Sequence, residues 1–384
     1  MFRCLKKYLA STLLLGLLVT GCSAPSSNTA STLNTNSHST TQIPESSLET
    51  STPSSSPVTA TSTFTLPSPK PTPTFDPSTP VGLHGALNVE ETYIVDEHNQ
   101  PFQLRGVSTH GLHWYPGVVN EGSFTTLRDD WKVNVIRLAM YTDNNSGYIG
   151  NPETTEALVR EGIDLATAAG LYVIVDWHCL EDGNPNAHKE EAIRFFSQIA
   201  TEYVNYPNIL YELCNEPNGE DVTWDEDVRP YCQTLIETIR AIDEQGIIIA
   251  GTPTWSQDIH LAAQNPLEGN NIMYTLHFYA DTHRDSLRDR LVDCITNYKL
   301  PVFVSEFGTC DASGNTGFNE EQSDLWLDLL NEYNISWVNW SLCDKKETAS
   351  PLKPLTTSRG NWTDEDLTDT GLYIKNRLLE AYSD

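Results

Sequence analysis

Two glutamates stand at matching places in two short apolar runs. Glu216 closes "NILYELCNE" immediately before Pro217, and Glu306 follows "PVFVS". A carboxylate is costly to bury without a partner, so an acid ending a buried strand either meets water there or is placed there to react. Two such groups facing one another can divide the chemistry. One, held neutral, gives a proton to a departing group, while the other, ionised, attacks as a nucleophile. Other reactive or hydrogen-bonding side chains end neighbouring runs in the same way. His110 and Trp114 follow "RGVST", Arg137 and Tyr141 share one face of "VIRLAMY", His178 ends "YVIVDWH", and Asn215 precedes Glu216. Trp255 follows "IIIAGTPT", His277 and Tyr279 share a face of "NIMYTLHFY", and Trp340 lies in "ISWVNWSL". For either glutamate alone, an ordinary salt bridge explains the residue as well as chemistry does. The joint pattern does not reduce to salt bridges.

The elements that must position these side chains alternate along the chain. Eight short runs rich in β-branched residues are each followed by a helical pattern such as "HKEEAIRFFSQIATEY" or "EEQSDLWLDLLNEYN". Eight strand–helix units in about 300 residues predict a parallel (β/α)8 TIM barrel with right-handed crossovers. A doubly wound open sheet fits less well, because no glycine-rich phosphate turn follows the first strand. Ahead of the units, "ALNVEETYIVDEHNQPFQL" predicts an N-terminal β-hairpin flooring the barrel. Catalytic groups of such barrels gather at the carboxyl ends of the strands, where the residues above fall. With Glu216 on the fourth strand and Glu306 on the seventh, two inward carboxylates could lie about 5 Å apart, the spacing of a retaining glycosidase.

Trp131 and Trp326 sit in helical patterns and are expected in the core. Trp337 falls on the strand face opposite Trp340 and is expected against the helices. Trp114, Trp255 and Trp340 lie at loop mouths, where an indole face can stack on a pyranose. "DWHCLEDGNPNAH" offers His178, Asp182 and His188 as a rival metal trio, but without HExxH spacing, so no metal and no cofactor is expected. Six cysteines lie beyond residue 80 with no CxxC pair, and buried thiols are expected rather than a disulfide framework.

The chain's beginning reads differently. Arg3, Lys6 and Lys7 precede an apolar run from Leu9 to Val19 that ends in "LVTGC". Residues 1–21 therefore read as an export signal of the lipoprotein type, with Cys22 as the lipidated residue of a cell-surface protein, or else as an ordinary secretory leader. From Ser23 to Pro80, 39 of 58 residues are Ser, Thr or Pro. Residues 22–80 are expected to be a disordered tether, and 81–384 the catalytic domain. Residues 1–80 hold four basic and three acidic groups, so the domain carries −30 of the total −29. That balance disfavours nucleic acid as a partner.

The domain resembles glycoside hydrolase family five, in the clan of retaining β/α-barrel glycosidases, and within it the bacterial endo-β-1,4-glucanases (cellulases). The resemblance rests on "RGVSTHGLHWY", "VIRLAMY", "DWH", "LYELCNEPNG", "GTPTWSQD", "LHFYA", "VFVSEFGTCDASG" and "WVNWSLCDKKE", in the family's order. It implies an enzyme with Glu216 as acid/base and Glu306 as nucleophile; a monomer is expected. Arg137 and Tyr279 are then expected beside Glu306, Asn215 on a sugar 2-hydroxyl, and His110, His178 and His277 on sugar hydroxyls or the two carboxylates. It further implies that Trp340 floors the subsite at the cleaved bond and that Lys345 and Glu347 reach the next sugar. As loop residues, Lys345 and Glu347 read equally well as solvated charges. Pro253 and His113 depart from the family's usual look. The implied substrate is cellulose or a related β-glucan. Mixed-linkage glucan, glucomannan or xylan by the same chemistry, and a non-catalytic glucan-binding lipoprotein, are the alternatives.

Overall fold

A computed structural model describes residues 65–380. The leader, Cys22 and the first part of the Ser/Thr/Pro-rich stretch lie outside the described residues. Among those described, no helix is long and apolar enough to cross a membrane.

The chain enters through a short helix α1 (Pro80–His84), whose first turn is capped by the Thr79 side chain. The hairpin β1 (Asn88–Glu90) and β2 (Tyr93–Val95) follows as an antiparallel pair. Then come β3 (Arg105–Thr109), α2 (Glu121–Asp129), β4 (Val135–Tyr141), α3 (Pro152–Ala168) and β5 (Tyr172–His178). Next are α4 (Lys189–Tyr203), β6 (Ile209–Glu212), α5 (Arg229–Arg240), β7 (Ile247–Ala250), the single turn α6 (Pro253–Ser256) and α7 (Ile259–Gln264). The last part comprises β8 (Ile272–Tyr279), α8 (Asp285–Tyr298), β9 (Val302–Gly308), α9 (Glu320–Glu332), β10 (Trp337–Leu342) and α10 (Asp369–Glu380). Strands β3 to β10 are parallel and close into an eight-stranded barrel in sequence order, β10 pairing with β3.

The strands are apolar on both faces because both are covered. Outward residues such as Val175, Tyr211, Phe307 and Trp337 join the helices in one large core. Inward residues near the amino ends, among them Ile174, Leu210, Ile249 and Phe303, form a second core that plugs the barrel. Val81, Leu87 and Ile94 close it from below, so α1 and the hairpin do floor the barrel. Trp131 and Trp326 are fully buried. The six cysteines from Cys179 to Cys343 are buried thiols.

Two boundaries differ from the sequence reading. The fourth barrel strand was expected to run to Glu216, but β6 stops at Glu212. Glu212 is held inside the barrel by Arg137, and the next residues leave the ladder to bond β5 and β7: Leu213 N–H to Ile249 O, Asn215 N–H to Trp177 O, and Glu216 N–H to Cys179 O. The tether was expected to reach Pro80, yet residues from at least Lys70 are already packed on the barrel. The Lys70 N–H donates to Glu202 O at 2.7 Å, its ammonium binds Asp164 at 2.8 Å and the Tyr203 hydroxyl at 2.9 Å, and Phe75 packs on the floor core. A Ser/Thr/Pro count hides the few side chains that do find partners.

Candidate active site

Arg137 is the site's organising charge. It projects inward from β4 with no exposed surface. Its Nε donates to Glu212 Oε2 at 2.6 Å, Nη2 to Asn215 Oδ1 at 2.6 Å, and Nη1 to Glu306 Oε2 at 3.1 Å. Asp176 Oδ2 on β5 lies 3.0 Å from Nη2. Burial opposes the guanidinium charge, but Asp176, Glu212 and Glu306 together hold it more firmly protonated than usual. One cation shared by three carboxylates leaves an excess of negative charge. Burial accordingly pushes Asp176 up to about 7.

The two glutamates are held differently. Glu306 lies near the carboxyl end of β9, with Oε2 on Arg137 and Oε1 accepting from the Tyr279 hydroxyl at 2.8 Å. Burial and the charge of Glu216 raise its pKa, while His277 and Arg137 pull it back. Glu216 has no cation in hydrogen-bond contact. Its Oε1 lies 2.9 Å from His277 Nδ1, and burial pushes its pKa up to about 8. Of the pair, Glu306 is therefore the one that ionises first. An oxygen of each, with a nitrogen of His277, lie within 4.8 Å of one another.

The loop carrying Glu216 is fixed by its neighbours. A Cβ on Gly251 would come within 2.0 Å of Cys214 O, so only glycine lets the end of β7 approach this bend. Ser256 Oγ donates to Asn215 O at 2.6 Å, and Trp255 N–H to Pro217 O at 3.1 Å. Thr254, Trp255 and Ser256 all take positive φ, between 53° and 56°, a strained turn that leaves the Trp255 ring 47% exposed.

The opening above the barrel is a cavity of about 550 Å³. Tyr141, His178, Glu216, Trp255, His277, Tyr279, Glu306 and Trp340 line it. Trp340 stacks on His178 with ring centroids 5.3 Å apart, and His178 Nδ1 is 2.6 Å from Asp176 Oδ2. Burial holds His178 neutral far below the usual histidine range. His110 forms the adjoining wall: its Nδ1 accepts from Gly111 N–H at 2.7 Å, its ring is 5.3 Å from that of Trp340, and burial lowers it to about 3. Trp114 lies 4.7 Å from the Tyr141 ring and is 48% exposed. Of the loop pair only Glu347 is withdrawn from solvent, its side chain 3% exposed, whereas Lys345, which binds Glu347 Oε2 through Nζ at 2.5 Å, keeps a side chain 44% exposed. Asn215 is buried behind the cavity, its Nδ2 3.3 Å from Cys179 O.

The metal trio does not assemble. His178 bonds Asp176, whereas Asp182 accepts from the Thr142 hydroxyl and lies 3.7 Å from His188. His113, off the cavity, faces Asp143 at 3.6 Å. Sequence reading missed Asp176, Glu212 and Ser305, which join the site from behind. The signal was there: Glu212 is an acid inside an apolar run, and Asp176 sits two residues before His178, on the same strand face.

Residues 95–346 match the family model described as Cellulase (glycosyl hydrolase family 5). The chain is 49% identical over 294 residues to an endoglucanase of Clostridium saccharobutylicum, covering 77% of this chain and 65% of that one. It is 47% identical over 301 residues to endoglucanase 5 of Pectobacterium carotovorum, covering 78% and 59%. It thus spans less than two thirds of either relative's length. Among solved structures, the catalytic domain of a Thermobifida fusca endoglucanase superposes with a TM-score of 0.75 at 38% identity, covering 79% of this chain and all of that one.

Proposed function

The chain belongs to glycosyl hydrolase family 5, and from that premise we propose that it is a retaining endo-β-1,4-glucanase acting on cellulose and related β-glucans. The observation that carries the reading is the unequal treatment of two neighbouring carboxyls. Glu306, on Arg137 and Tyr279, is set to remain an anion and attack the anomeric carbon. Glu216, raised to about 8, keeps its proton at neutral pH and delivers it to the departing glycosidic oxygen. Oxygens within 4.8 Å of each other support double displacement, since an inverting pair stands about 6.5–9.5 Å apart to admit a water between. Once the glycosyl–Glu306 ester has formed, Glu216 is the base that activates the incoming water.

The aromatic walls support a pyranose chain as substrate. Trp340, Trp255 and Trp114 offer apolar faces, and His110, His178 and the Lys345–Glu347 pair offer polar contacts to hydroxyls. The names of the relatives favour β-1,4-glucan over mannan or xylan. The leader and "LVTGC" support an exported enzyme held at the cell surface through lipidated Cys22.

The test is hydrolysis of carboxymethylcellulose, mixed-linkage glucan, glucomannan and xylan by the full chain. Viscosity should fall faster than reducing ends appear, and proton NMR should show the β-anomer first. An α-anomer as first product, or turnover of xylan alone, would reject the reading.

A further inference from the structure

We infer that Glu212 and Ser305 fix the imidazole proton of His277 on Nε2, which leaves Nδ1 bare to receive the acidic hydrogen of Glu216. Neither residue lines the cavity, and neither touches Glu216. They are positioning residues that act through His277, and their catalytic meaning rests on Glu216 being the acid/base.

The assignment follows from counting hydrogens around one hydroxyl. Ser305 Oγ contacts Glu212 Oε1 at 2.6 Å, His277 Nε2 at 3.0 Å and the Thr275 hydroxyl. A serine hydroxyl has one hydrogen and two lone pairs, so one of the three partners accepts and two must donate. Glu212 is the acceptor. Both its oxygens face the guanidinium, Oε2 taking Nε at 2.6 Å and Oε1 facing Nη2 at 3.3 Å, and a two-point pair of this kind favours the anion. Burial raises Glu212, but the guanidinium beside both of its oxygens opposes that and holds the anion. Ser305 therefore donates to Glu212, and His277 Nε2 must donate to Ser305.

A neutral imidazole carries a single N–H. With Nε2 protonated, Nδ1 presents a lone pair to Glu216 Oε1 at 2.9 Å. That contact is attractive only when Glu216 holds the proton. The chain of bonds thus runs one way, from Glu216 to His277 to Ser305 to Glu212, and ends on an anion anchored by Arg137. The charges around it agree. Glu212 on β6 faces Arg137 on β4, Asp176 on β5 and His277 on β8. Glu216 feels Arg137 on β4, Asp176 on β5, His277 on β8 and Glu306 on β9, and the charge of Glu212 on β6 raises it further. Tyr141 and Tyr279 stay neutral beside both. Burial keeps His277 unprotonated down to about 4, so it is the neutral ring that titration offers to Glu216.

The test uses the full chain labelled with ¹⁵N-histidine, with the His277 tautomer read from two-bond nitrogen–proton correlations near neutral pH. Wild type should show Nε2–H. In Glu212→Gln, Arg137 keeps the amide oxygen, so the amide N–H₂ turns to Ser305, and the serine hydrogen is free to go to the Thr275 hydroxyl or to His277 Nε2. Nε2–H is then no longer enforced, and a share of His277 should appear as Nδ1–H, which donates to Glu216 and favours its anion. The alkaline limb of kcat/KM on polymer should move down by about one unit, a tenfold loss above that limb, while an aryl glycoside with a good leaving group keeps its rate. Loss of the Glu212 charge lowers Glu216 in this variant by itself, so here the tautomer decides, and the limb is decisive in Ser305→Ala, which keeps that charge. Ser305→Ala should show mixed tautomers and the same substrate split, and Ser305→Thr, which restores the hydroxyl, the wild-type profile. A wild-type His277 protonated on Nδ1, or variants that lose both substrates equally with the alkaline limb unmoved, would overturn the inference. If wild type cleaved no β-glucan, the proposed function would fall, and the tautomer read in the same sample would still decide the proton's position.

Discussion

Arg137 Nη1 and Glu306 Oε2 meet at 3.1 Å, and this ion pair makes two similar glutamates chemically unlike. The same guanidinium also serves Glu212 and Asp176. Among the described residues no Lys or Arg meets the carboxyl of Glu216, which faces the neutral ring of His277 instead. The positive charge placed inside the barrel thus falls to the group that must remain negative.

Removing either glutamate should therefore fail in a different way. Glu306→Gln should abolish turnover of every substrate, because no glycosyl-enzyme can form. Glu216→Ala should cut polymer hydrolysis by about 10²–10⁴-fold. An aryl glycoside with a good leaving group should still react, and added azide should restore turnover to a β-glycosyl azide. Equal losses on polymer and aryl glycoside in Glu216→Ala would exchange or remove the roles.

Arg137→Met should be among the most destabilising single changes in the domain. It leaves three buried carboxyls without their cation, and breaking a buried pair on one side costs about 3–5 kcal/mol. Urea denaturation of the variant at neutral pH checks this. The deficit should shrink as pH falls and the orphaned acids become protonated.

Most of the barrel was legible from the sequence, because β3 to β10 are continuous apolar runs between amphipathic helices, and periodicity reports that pattern directly. The carboxyl-end side chains were legible for the same reason. What was not legible depends on departures from period. Alternation puts Asn215 and Glu216 on opposite faces, but the chain leaves β6 after Glu212, and both residues reach the site. Glu212 and Asp176 show in the sequence as acids inside apolar runs, but their partners, like those of Ser305, lie on other strands, and local sequence does not report those contacts. Lys70 was lost to composition: its partners Asp164 and Tyr203 lie on helices about a hundred residues away in sequence.

Stability should carry the mark of Glu216. Its folded pKa, about 8, stands above the ordinary carboxyl value of 4.5. The native state then binds more protons than the unfolded chain between those limits, so stability falls as pH rises from about 4.5 to 8. Glu216→Gln removes that dependence. The melting temperature of the variant relative to wild type should rise across this window and level off above it. A difference that stays flat from pH 4.5 to 9 would show that Glu216 titrates normally.

Residues 65–79 should contribute to stability although they read as tether. A chain beginning at residue 81 loses the Lys70 contacts, the Phe75 packing and the Thr79 cap. A cost of about 1–2 kcal/mol should lower the melting temperature by several degrees. A chain beginning at residue 65 should melt like the full protein. Both should hydrolyse soluble glucan equally well at 25 °C, since the strap packs on α3 and α4 and on the barrel floor, away from the carboxyl ends. Identical melting of the two truncations would show that the strap adds nothing.

Trp255 and Trp114 are about half exposed, at 47% and 48%, so the folded protein gains little from burying them. Trp255 lines the cavity that holds both glutamates. Trp114 lines a neighbouring hollow of about 420 Å³ with Tyr115, Leu355 and Trp362. Alanine at either position should change stability by less than about 0.5 kcal/mol, as surface changes usually do. Each removes an aromatic platform worth about 0.5–1.5 kcal/mol to a stacked ring, a factor of roughly 2–12 in binding. The two should differ in how the loss appears. Trp114 packs on Tyr141 and His110 rather than on the acid's loop, and its loss should raise KM for long cello-oligosaccharides while leaving kcat nearly unchanged. Trp255 is joined to the acid's loop through its N–H on Pro217 O and sits in a strained turn, so Trp255→Ala should lower kcat as well. Steady-state kinetics on oligosaccharides of four to six sugars separates the two. Trp114 is a substrate platform only if its penalty grows with chain length, and a penalty that is the same for every length would assign it to the packing of Tyr141 and His110 instead.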